Sequence, residues 1–426
     1  MAIAILFGVF ALLLILGVPV AFALAAAAFA TCGYLGLPAL VTVIELASGA
    51  NASTLIAIPL FILTGEIMLR GGLSDRIIAF AGSLVGHLRG GLGQVNVVAS
   101  LLFGGVSGSA IADVSAIGGT MIPQMKQRGF DADFAVNVAI TASLVALLVP
   151  PSHNLILYSA AAGGGVSIAD LFAAGIVPAL MLMVAVMGTT WLIARKRGYL
   201  AETFPGFRPA LRRGVAAVPG LLLIGIILGG IRAGIFTAVE SAAIAVIYAL
   251  GIALLVYRQL RWNAFAELLT GAVRTTGAIL FVIAAAAAFG WLLAYLQVPA
   301  TAVATLKAIA DSPTAVLLLM VVVLLVLGTF MDMAPLIIIC TPIFLPVAKA
   351  YGISPVHFGI VLILTAGIGL ITPPVGSVLF VGAGIGQIKV GEALRSIWPF
   401  YLAAIAVLLL VTLVPSLSLW LPAALR

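Results

Sequence analysis

The stretch GVSGSAIADVSAIGGTMIPQMKQRGFD, residues 105–131, recurs in outline 223 residues further along the chain. The two copies share small residues, prolines, lysines and glycines at matching intervals. The matched positions are Gly105, Ser109, Pro123, Lys126, Gly129 and Pro150-Pro151 in the first copy and Gly328, Asp332, Pro346, Lys349, Gly352 and Pro373-Pro374 in the second. In each copy, a small or polar break separates two apolar runs, and two prolines interrupt the long apolar run that follows. The spacing predicts an internal repeat of two interrupted helical units.

Composition places this repeat in a membrane. The chain has 426 residues, of which 64% are hydrophobic and 8% charged, and its mean hydropathy is +1.33. A soluble domain carries about 25% charged residues. Uncharged stretches such as 1–44 and 396–425 exceed the roughly 20 residues that a helix needs to cross hydrocarbon. The sequence therefore predicts an all-α polytopic membrane protein whose N-terminal apolar run is retained as a membrane segment.

Basic residues indicate which loops face the cytoplasm. Six of the 20 basic residues lie between positions 195 and 213, opposed only by Glu202. By the positive-inside rule this connector is cytoplasmic. Arg258 and Arg261 mark a second cytoplasmic loop, and Arg89, Lys126 and Arg128 mark a third. The net charge of +7 is thus explained by basic cytoplasmic loops that orient the chain in the membrane. Nucleic acid is not expected as a partner.

These markers predict the path of the chain. Residues 92–127 begin and end on the basic side, and their middle, 104–109, is too flexible and polar for a lipid-exposed helix. They are predicted to form a re-entrant hairpin that opens to the cytoplasm. By alternation the second hairpin, 313–351, enters from the outside. The other predicted segments are a span at 3–35, a span at 53–69, an interfacial arm at 74–89, broken helices at 131–161 and 354–386, spans at 168–194, 214–231 and 235–257, an arm at 263–272 leading to a span at 273–296, a short segment around Lys307 and Asp311, an arm at 389–395 and a final span to 421.

Two opposed hairpins and two proline-broken crossover helices make an inverted repeat, which is typical of secondary transporters. The four breaks are expected to converge near the bilayer midplane. Carbonyls left free at a helix C-terminus coordinate cations, whereas free amides at an N-terminus attract anions. The sequence contains no P-loop and no clustered metal ligands, so no cofactor is expected and an ion gradient is the predicted energy source.

Three sets of candidate site residues follow from the breaks. The first predicted sodium site comprises Ser107, Ser109, Ser143 and Val149. The second predicted sodium site comprises Thr329, Asp332, Thr365, Gly367 and Thr372. The residues predicted to bind a carboxylate substrate are Ser109, Ser152, His153, Asn154, Pro374, Gly376 and Ser377.

Four of the polar residues have a structural alternative. Asp332, flanked by methionines, is either a functional intramembrane acid or a helix cap at an aqueous boundary. Asp113 is either functional or a cap for the second arm of the first hairpin. Glu240 suits the first turn of a helix, where the dipole favours it. His153 is either a substrate ligand or a packed, hydrogen-bonded residue.

At these motifs the chain resembles the large membrane subunit of tripartite ATP-independent periplasmic (TRAP) transporters, the DctM type. The resemblance covers essentially the whole chain. The stretches that carry it are 105–131, VPPSHNLILYSAAAGGGVSIADLF (149–172), GIFTAVESAAIAVIYAL (234–250), FMDMAPLIIICTPIFLPVAKAYGISPVHFGIV (330–361) and GLITPPVGSVLFV (369–381). The chain departs from the familiar pattern in having Thr365 where asparagine is common and Ala238 within the usual TPTE.

The resemblance implies a sodium-coupled elevator-type importer of organic acids such as C4-dicarboxylates, in the bacterial cytoplasmic (inner) membrane. Its implied partners are a small four-helix membrane subunit, expected as a separate chain, and a periplasmic substrate-binding protein. Mapped onto this chain, residues 1–90 are scaffold, 91–165 the first half of the transport domain, 166–297 scaffold with the cytoplasmic loop 195–213, 298–388 the second half of the transport domain, and 389–426 an arm with the final scaffold helix.

Three rival functions remain at this point. A self-sufficient sodium/divalent-anion symporter would have the same repeat and need no binding protein. An intramembrane enzyme would need a nucleophile–base pair or a metal cluster, and the sequence offers neither. A channel is disfavoured, because two opposed hairpins suit a closed, occluding site.

Overall fold

The computed structural model describes residues 1–51, 53–201, 203–260, 262–309 and 312–425. Within them the regular structure is entirely helical. Glu202, Arg261 and Asp311, on which parts of the sequence interpretation rest, lie outside the described residues, as does the side chain of Lys307. In the described part of the chain, six helices are long and apolar enough to cross a membrane, or up to nine if each sharply bent pair is one span. The prediction of an all-α, multi-span protein is confirmed.

The N-terminal region differs from the predicted single span at 3–35. Two helices that pack against each other occupy it, α1 (Ala2–Ile15) and α2 (Val20–Tyr34). Gly17 adopts a left-handed conformation with φ 79°, and the Val18 amide bonds back to the Leu13 carbonyl. This is a C-terminal capping motif that ends α1. The chain then reverses at Pro19, so the single-span prediction was wrong.

Three more helices complete this region, namely α3 (Ala39–Ala50), α4 (Ala57–Arg70) and α5 (Leu73–Val85). Helix α3 was not predicted from the sequence. The axis of α5 is bent by 69° from that of α4, at Gly71 and the left-handed Gly72. A sharp change of direction at this point agrees with the arm predicted at 74–89.

The first repeat contains five helices and two irregular turns. They are α6 (Gly91–Ser107), α7 (Ala110–Asp113), α8 (Gly119–Gln127), α9 (Ala132–Ala142) and α10 (His153–Ala161). A π turn (Val114–Gly118) joins α7 to α8, and a 3-10 turn (Val145–Leu147) follows α9. The long helix α11 (Ile168–Arg197) then packs along α6 and α9.

The middle of the chain contributes α12 (Phe207–Arg232), α13 (Ala238–Gly251), α14 (Trp262–Tyr295) and α15 (Val298–Ile309). The predicted arm at 263–272 and span at 273–296 are one continuous helix, α14, of 34 residues. That length corresponds to about 50 Å. The predicted separation between residues 272 and 273 was wrong, because no proline or left-handed glycine interrupts the helix there.

The second repeat and the C-terminus follow the same plan as the first. Their helices are α16 (Pro313–Phe330), α17 (Met333–Ala350), α18 (Pro355–Leu370), α19 (Ser377–Gly386), α20 (Val390–Ser396), α21 (Trp398–Leu413) and α22 (Ser416–Ala424). The axis of α20 is bent by 104° from that of α19, and that of α22 by 62° from that of α21. By length and composition α16 and α17 could each cross a membrane.

The two repeats exchange contacts at the centre of the molecule. Helix α10 of the first repeat packs against α17 and α18 of the second, and α19 of the second packs against α9 and the π turn of the first. Gly367 in α18 is one of the close approaches between the repeats. A Cβ added there would lie 2.7 Å from Leu147 Cδ1 and 3.8 Å from Leu144 Cδ2. The segments that precede the two proline breaks therefore contact each other across the interface between the repeats.

Candidate functional site

The tip of the first hairpin is held against the break in its own crossover helix. Helix α6 ends at Ser107, Gly108 is left-handed with φ 59°, and Ser109 begins α7 in an extended conformation. A Cβ at Gly108 would lie 2.9 Å from the Pro151 carbonyl oxygen and 3.1 Å from the His153 nitrogen. Glycine is required here both by its conformation and by the close approach.

Side chains at the start of α10 fasten this tip. Asn154 Nδ2 donates to the Gly108 carbonyl oxygen at 3.0 Å, and the His153 ring interacts with the backbone of Ser107. Asn154 is only 2% exposed. Both residues, predicted as substrate ligands, therefore also position the hairpin tip.

The second hairpin has the same arrangement with different residues. Asp332 begins α17, and its Oδ1 accepts from the Met333 amide at 2.9 Å and from Ser377 Oγ at 3.2 Å. The Val375 amide donates to the Thr329 carbonyl oxygen at 3.0 Å. Ser377 occupies the repeat position of Asn154, and Asp332 that of Ser109. At equivalent positions, each crossover helix thus holds the tip of its own hairpin.

The helices at the four breaks begin in two different ways. Ser109 accepts from the Ala112 amide at 3.4 Å, and Asp332 accepts from Met333, so both hairpin arms have side-chain caps. Helices α10 and α19 begin at Ser152 and Gly376 with no side-chain cap. The first-turn amides of these two crossover half-helices are the ones left available for an anion. Both proline pairs that precede them, Pro150-Pro151 and Pro373-Pro374, are cis.

Several predicted cation ligands bond to their own helix. These hydroxyls donate to a carbonyl three or four residues earlier, namely Ser143 to Ile140, Thr329 to Val326, Thr365 to Val361 and Thr372 to Ile368. Each oxygen keeps lone pairs for a cation. In the described part of the chain, no hydrogen bond joins Ser143 to Ser107 or Ser109. Val149 immediately precedes the first proline pair, and Gly367 lies at the contact between the two repeats.

Glu240 lies in a capping box. Its Oε2 accepts from the Thr237 amide at 2.8 Å and from the Thr237 hydroxyl at 2.9 Å, while the Glu240 amide donates to the Thr237 hydroxyl at 3.2 Å. This is the reciprocal pattern that caps an α-helix N-terminus. Glu240 is exposed, and the geometry favours its structural alternative.

Asp113 does not cap the first hairpin, because Ser109 fills that role. The Asp113 carboxylate is 1% exposed, and neither oxygen has a hydrogen-bond partner among the described residues. Ser100, on the facing arm α6, lies beside it. Ser100 and Asn96, four residues apart in α6, were not predicted as site residues, since isolated polar residues in an apolar run carry no pattern of their own.

A separate polar cluster lies where the first repeat meets the end of α11. Arg197, at the end of α11, pairs with Asp131 at 2.9 Å and with Asp133 at 2.8 Å. Tyr199 donates its hydroxyl to Asp131 at 2.6 Å, and partial burial together with this bond raises the pKa of Tyr199. The cluster fastens the start of α9 to the end of α11 and shares no residue with the four breaks.

Comparisons with known proteins agree with this architecture. The sequence profile described as "Tripartite ATP-independent periplasmic transporter, DctM component" matches residues 7–417. The solved YdaH transporter of Alcanivorax borkumensis shares the fold, with a TM-score of 0.60 at 17% identity over 87% of this chain and 86% of that one.

Curated relatives include large permeases with different substrates in their names. The C4-dicarboxylate TRAP transporter large permease DctM of Pseudomonas aeruginosa is 38% identical over 89% of this chain and 88% of its own. The sialic acid TRAP transporter large permease SiaM of Vibrio cholerae is 38% identical over 89% of this chain and 88% of its own. The 2,3-diketo-L-gulonate TRAP transporter large permease YiaN of Escherichia coli is 35% identical over 87% of this chain and 87% of its own.

These relatives are transporter permeases and not enzymes, and the family is tripartite, which implies a small membrane subunit and a periplasmic binding protein as partners. A match over nearly the whole chain, together with identities above one third, places the protein: it belongs to the tripartite ATP-independent periplasmic transporter family, as its DctM component, the large membrane permease.

Proposed function

We propose that this permease imports an organic acid bearing a carboxylate, delivered by a periplasmic binding protein and driven by sodium across the bacterial inner membrane. The observation that carries the proposal is the matched pair of hairpin anchors. Asn154 holds the first tip and Ser377 the second, at equivalent positions of the two repeats. The equivalence of these two anchors supports a carrier with two similar halves, each of which binds ions and substrate where its helices are interrupted.

The uncapped N-termini of α10 and α19 support an anionic substrate. Their first-turn amides, with Ser152, His153, Asn154, Pro374, Gly376 and Ser377 around them, offer positive partial charge without a fixed cation. The substrates in the names of the three relatives, C4-dicarboxylates, sialic acid and 2,3-diketo-L-gulonate, are all carboxylates at neutral pH. We propose a carboxylate recognised between these two helix ends.

The oxygen atoms at the breaks support coupling to sodium. The first site would use Ser107, Ser109, Ser143 and the backbone near Val149. The second would use Thr329, Asp332, Thr365, Thr372 and the backbone near Gly367. Asp332 supplies the one formal charge in the second set, and its second carboxylate oxygen, Oδ2, makes no hydrogen bond in the described part of the chain.

Alternating access would move the two repeats together as one body. The crossing at Gly367 and the exchanged packing of α10 and α19 support a rigid unit of hairpins and crossover helices. Helix α11 packs against α6 and α18, and α21 packs against α11 and α18. We therefore assign α11 and α21 to the moving body as well, which shifts the boundaries predicted from sequence at residues 166 and 389.

Uptake in proteoliposomes tests the proposal. The chain and its small subunit are reconstituted, and labelled succinate, sialic acid and 2,3-diketo-L-gulonate are offered with an inward sodium or choline gradient. Uptake of one acid that needs both sodium and the binding protein is expected. Uptake of free acid without the binding protein would favour the self-sufficient symporter, and uptake that is equal in choline would exclude sodium coupling.

A further inference from the structure

We propose that Asp113, Ser100 and Asn96 form an additional sodium site inside the first hairpin, apart from the two sites at the hairpin tips. The proposal starts from a concentration of unpaired polar atoms. Both oxygens of Asp113, the hydroxyl of Ser100 and both amide atoms of Asn96 are buried without a hydrogen-bond partner among the described residues. Asn96 and Ser100 are 0% exposed and Asp113 is 1% exposed.

The three side chains have a common location. Asn96 and Ser100 are four residues apart in α6, so they lie on one face of that helix, about 6 Å apart along its axis. Ser100 lies beside the Asp113 carboxylate, which belongs to the opposite arm of the hairpin. The polar face of α6 is therefore turned towards the acid. Ser107 is seven residues beyond Ser100, about 10 Å further along the helix, and so belongs to the tip.

An unpaired carboxylate at this depth is either protonated or balanced by a counter-charge, because burying a lone charge is costly. No ion pair to Asp113 occurs in the described ranges, and the ammonium of Lys126, in the last turn of α8, is bonded to the Gly386 carbonyl oxygen at 2.8 Å. Ser100 and Asn96 are neutral, so an ionised Asp113 gives the cluster of these three side chains a single negative charge. A monovalent cation balances it, whereas a divalent ion would leave a buried positive charge.

The side chains of this cluster carry oxygen donors that suit a hard cation. A carboxylate, a hydroxyl and an amide carbonyl can each supply an oxygen ligand. The Ser100 hydroxyl lies against the Asp113 carboxylate, and neither group makes a hydrogen bond of regular geometry in the described ranges. The π turn Val114–Gly118 follows Asp113 directly, and such turns occur often at functional sites.

Direct sodium binding tests this site independently of transport. The full chain with its small subunit is purified, and bound ²²Na⁺ per complex is measured in wild type, Asp113→Asn, Ser100→Ala and Ser115→Ala. Ser115 is the matched control, because it lies two residues from Asp113 but is exposed and donates to its own helix at Ile111. We expect Asp113→Asn to bind one sodium fewer, Ser100→Ala to bind that ion at least threefold more weakly, and Ser115→Ala to match wild type.

A double variant that also changes Asp332, in the second hairpin, distinguishes this additional site from the two proposed coupling sites. The double variant Asp113→Asn/Asp332→Asn should show both effects: the ion at Asp113 is lost, and the ion at the second hairpin binds about tenfold more weakly. Unchanged sodium stoichiometry and affinity in both Asp113→Asn and Ser100→Ala would overturn the proposal. If Asp113→Asn binds sodium as wild type does but its uptake no longer depends on pH, Asp113 is a proton carrier and the proposal is likewise overturned. If Asp113→Asn does not fold, Ser100→Ala decides. Wild type that binds no sodium would instead overturn the sodium coupling proposed above together with this site.

Discussion

The two repeats carry the same breaks, but the first is buried and the second is open. At the first break Ser152 is 0% exposed. At the equivalent position of the second break, Val375 is 44% exposed. Asp332 is likewise exposed, whereas its repeat partner Ser109 is half-buried.

The difference arises from what covers each hairpin. A Cβ at Gly105 would lie 2.3 Å from Ile224 Cδ1, so α12 presses on the first hairpin next to its tip. At the equivalent Gly328, the three atoms nearest to an added Cβ belong to Gly369, Leu336 and Ala366, all within the second repeat. A shared pattern therefore produces two sites with different access, and alternating access would require that difference to reverse during transport.

The largest expected effect is on chemical accessibility at the repeat-equivalent pair Ser152 and Val375. With Cys32 and Cys340 replaced by alanine, Val375→Cys should react with a water-soluble maleimide about 100-fold faster than Ser152→Cys, because labelling of a buried site requires local opening. Rates are measured by mass spectrometry on the purified complex. Similar rates at both positions would show that the first break is as open as the second.

Sodium dependence should separate Asp332 from its counterpart Ser109. Asp332→Asn should raise the sodium concentration for half-maximal uptake about tenfold, and Ser109→Ala only two- to threefold, since charged ligands interact roughly twice as strongly as neutral ones. The measurement is a sodium titration of uptake in proteoliposomes. An unchanged sodium dependence in Asp332→Asn would assign Asp332 to helix capping alone.

The anchors Asn154 and Ser377 should differ in stability. Asn154→Ala leaves the buried Gly108 carbonyl without its partner and should lower the free energy of unfolding by about 1–3 kcal/mol. Ser377→Ala removes a solvent-exposed bond and should cost less than about 1 kcal/mol. Unfolding in mixed detergent–SDS micelles measures both. Equal losses would mean that the two tips are held equally tightly.

The smallest effect is expected at the repeat-equivalent lysines. Lys126 Nζ donates to the Gly386 carbonyl at the end of α19, at 2.8 Å, and a cation there is favoured by the helix dipole. Lys126→Met should lower the free energy of unfolding by about 0.5–1 kcal/mol. Lys349 is exposed and makes no such bond, so Lys349→Met should match wild type. Loss of stability in Lys349→Met would reveal a contact supplied by a partner subunit.

Much of the fold was predictable because its signals are local. Apolar runs, left-handed glycines and proline pairs set where helices begin and end, and both hairpin tips and both crossover breaks lie where the sequence predicts interruptions. The errors occurred where local signals were weak or mixed. The short linker at Gly17 and Pro19 reverses the chain rather than softening a helix, and α14 continues without interruption through the boundary predicted between residues 272 and 273.

The candidate site was predictable only in part. The repeat identified Ser109, Asp332, Asn154 and Ser377 as residues of the breaks, but the bonds that join them depend on how the helices pack. Asp113 was predicted either to be functional or to cap the second arm of the first hairpin. The capping alternative was wrong, because Ser109 lies one residue ahead of α7 and accepts from the Ala112 amide in its first turn. The facing Ser100 comes from the other arm of the hairpin.

By itself, the sequence determined that this chain is a polytopic helical membrane protein with two matched, interrupted repeats, since hydropathy, loop charge and helix-breaking residues act over a few turns. Only the tertiary structure decided which break is buried, which side chains hold the tips, and which acid is left unpaired. Those properties depend on neighbours far away in the chain, such as Ile224 against Gly105 and Leu147 against Gly367, and burial is a property of the packed assembly of helices rather than of any one of them.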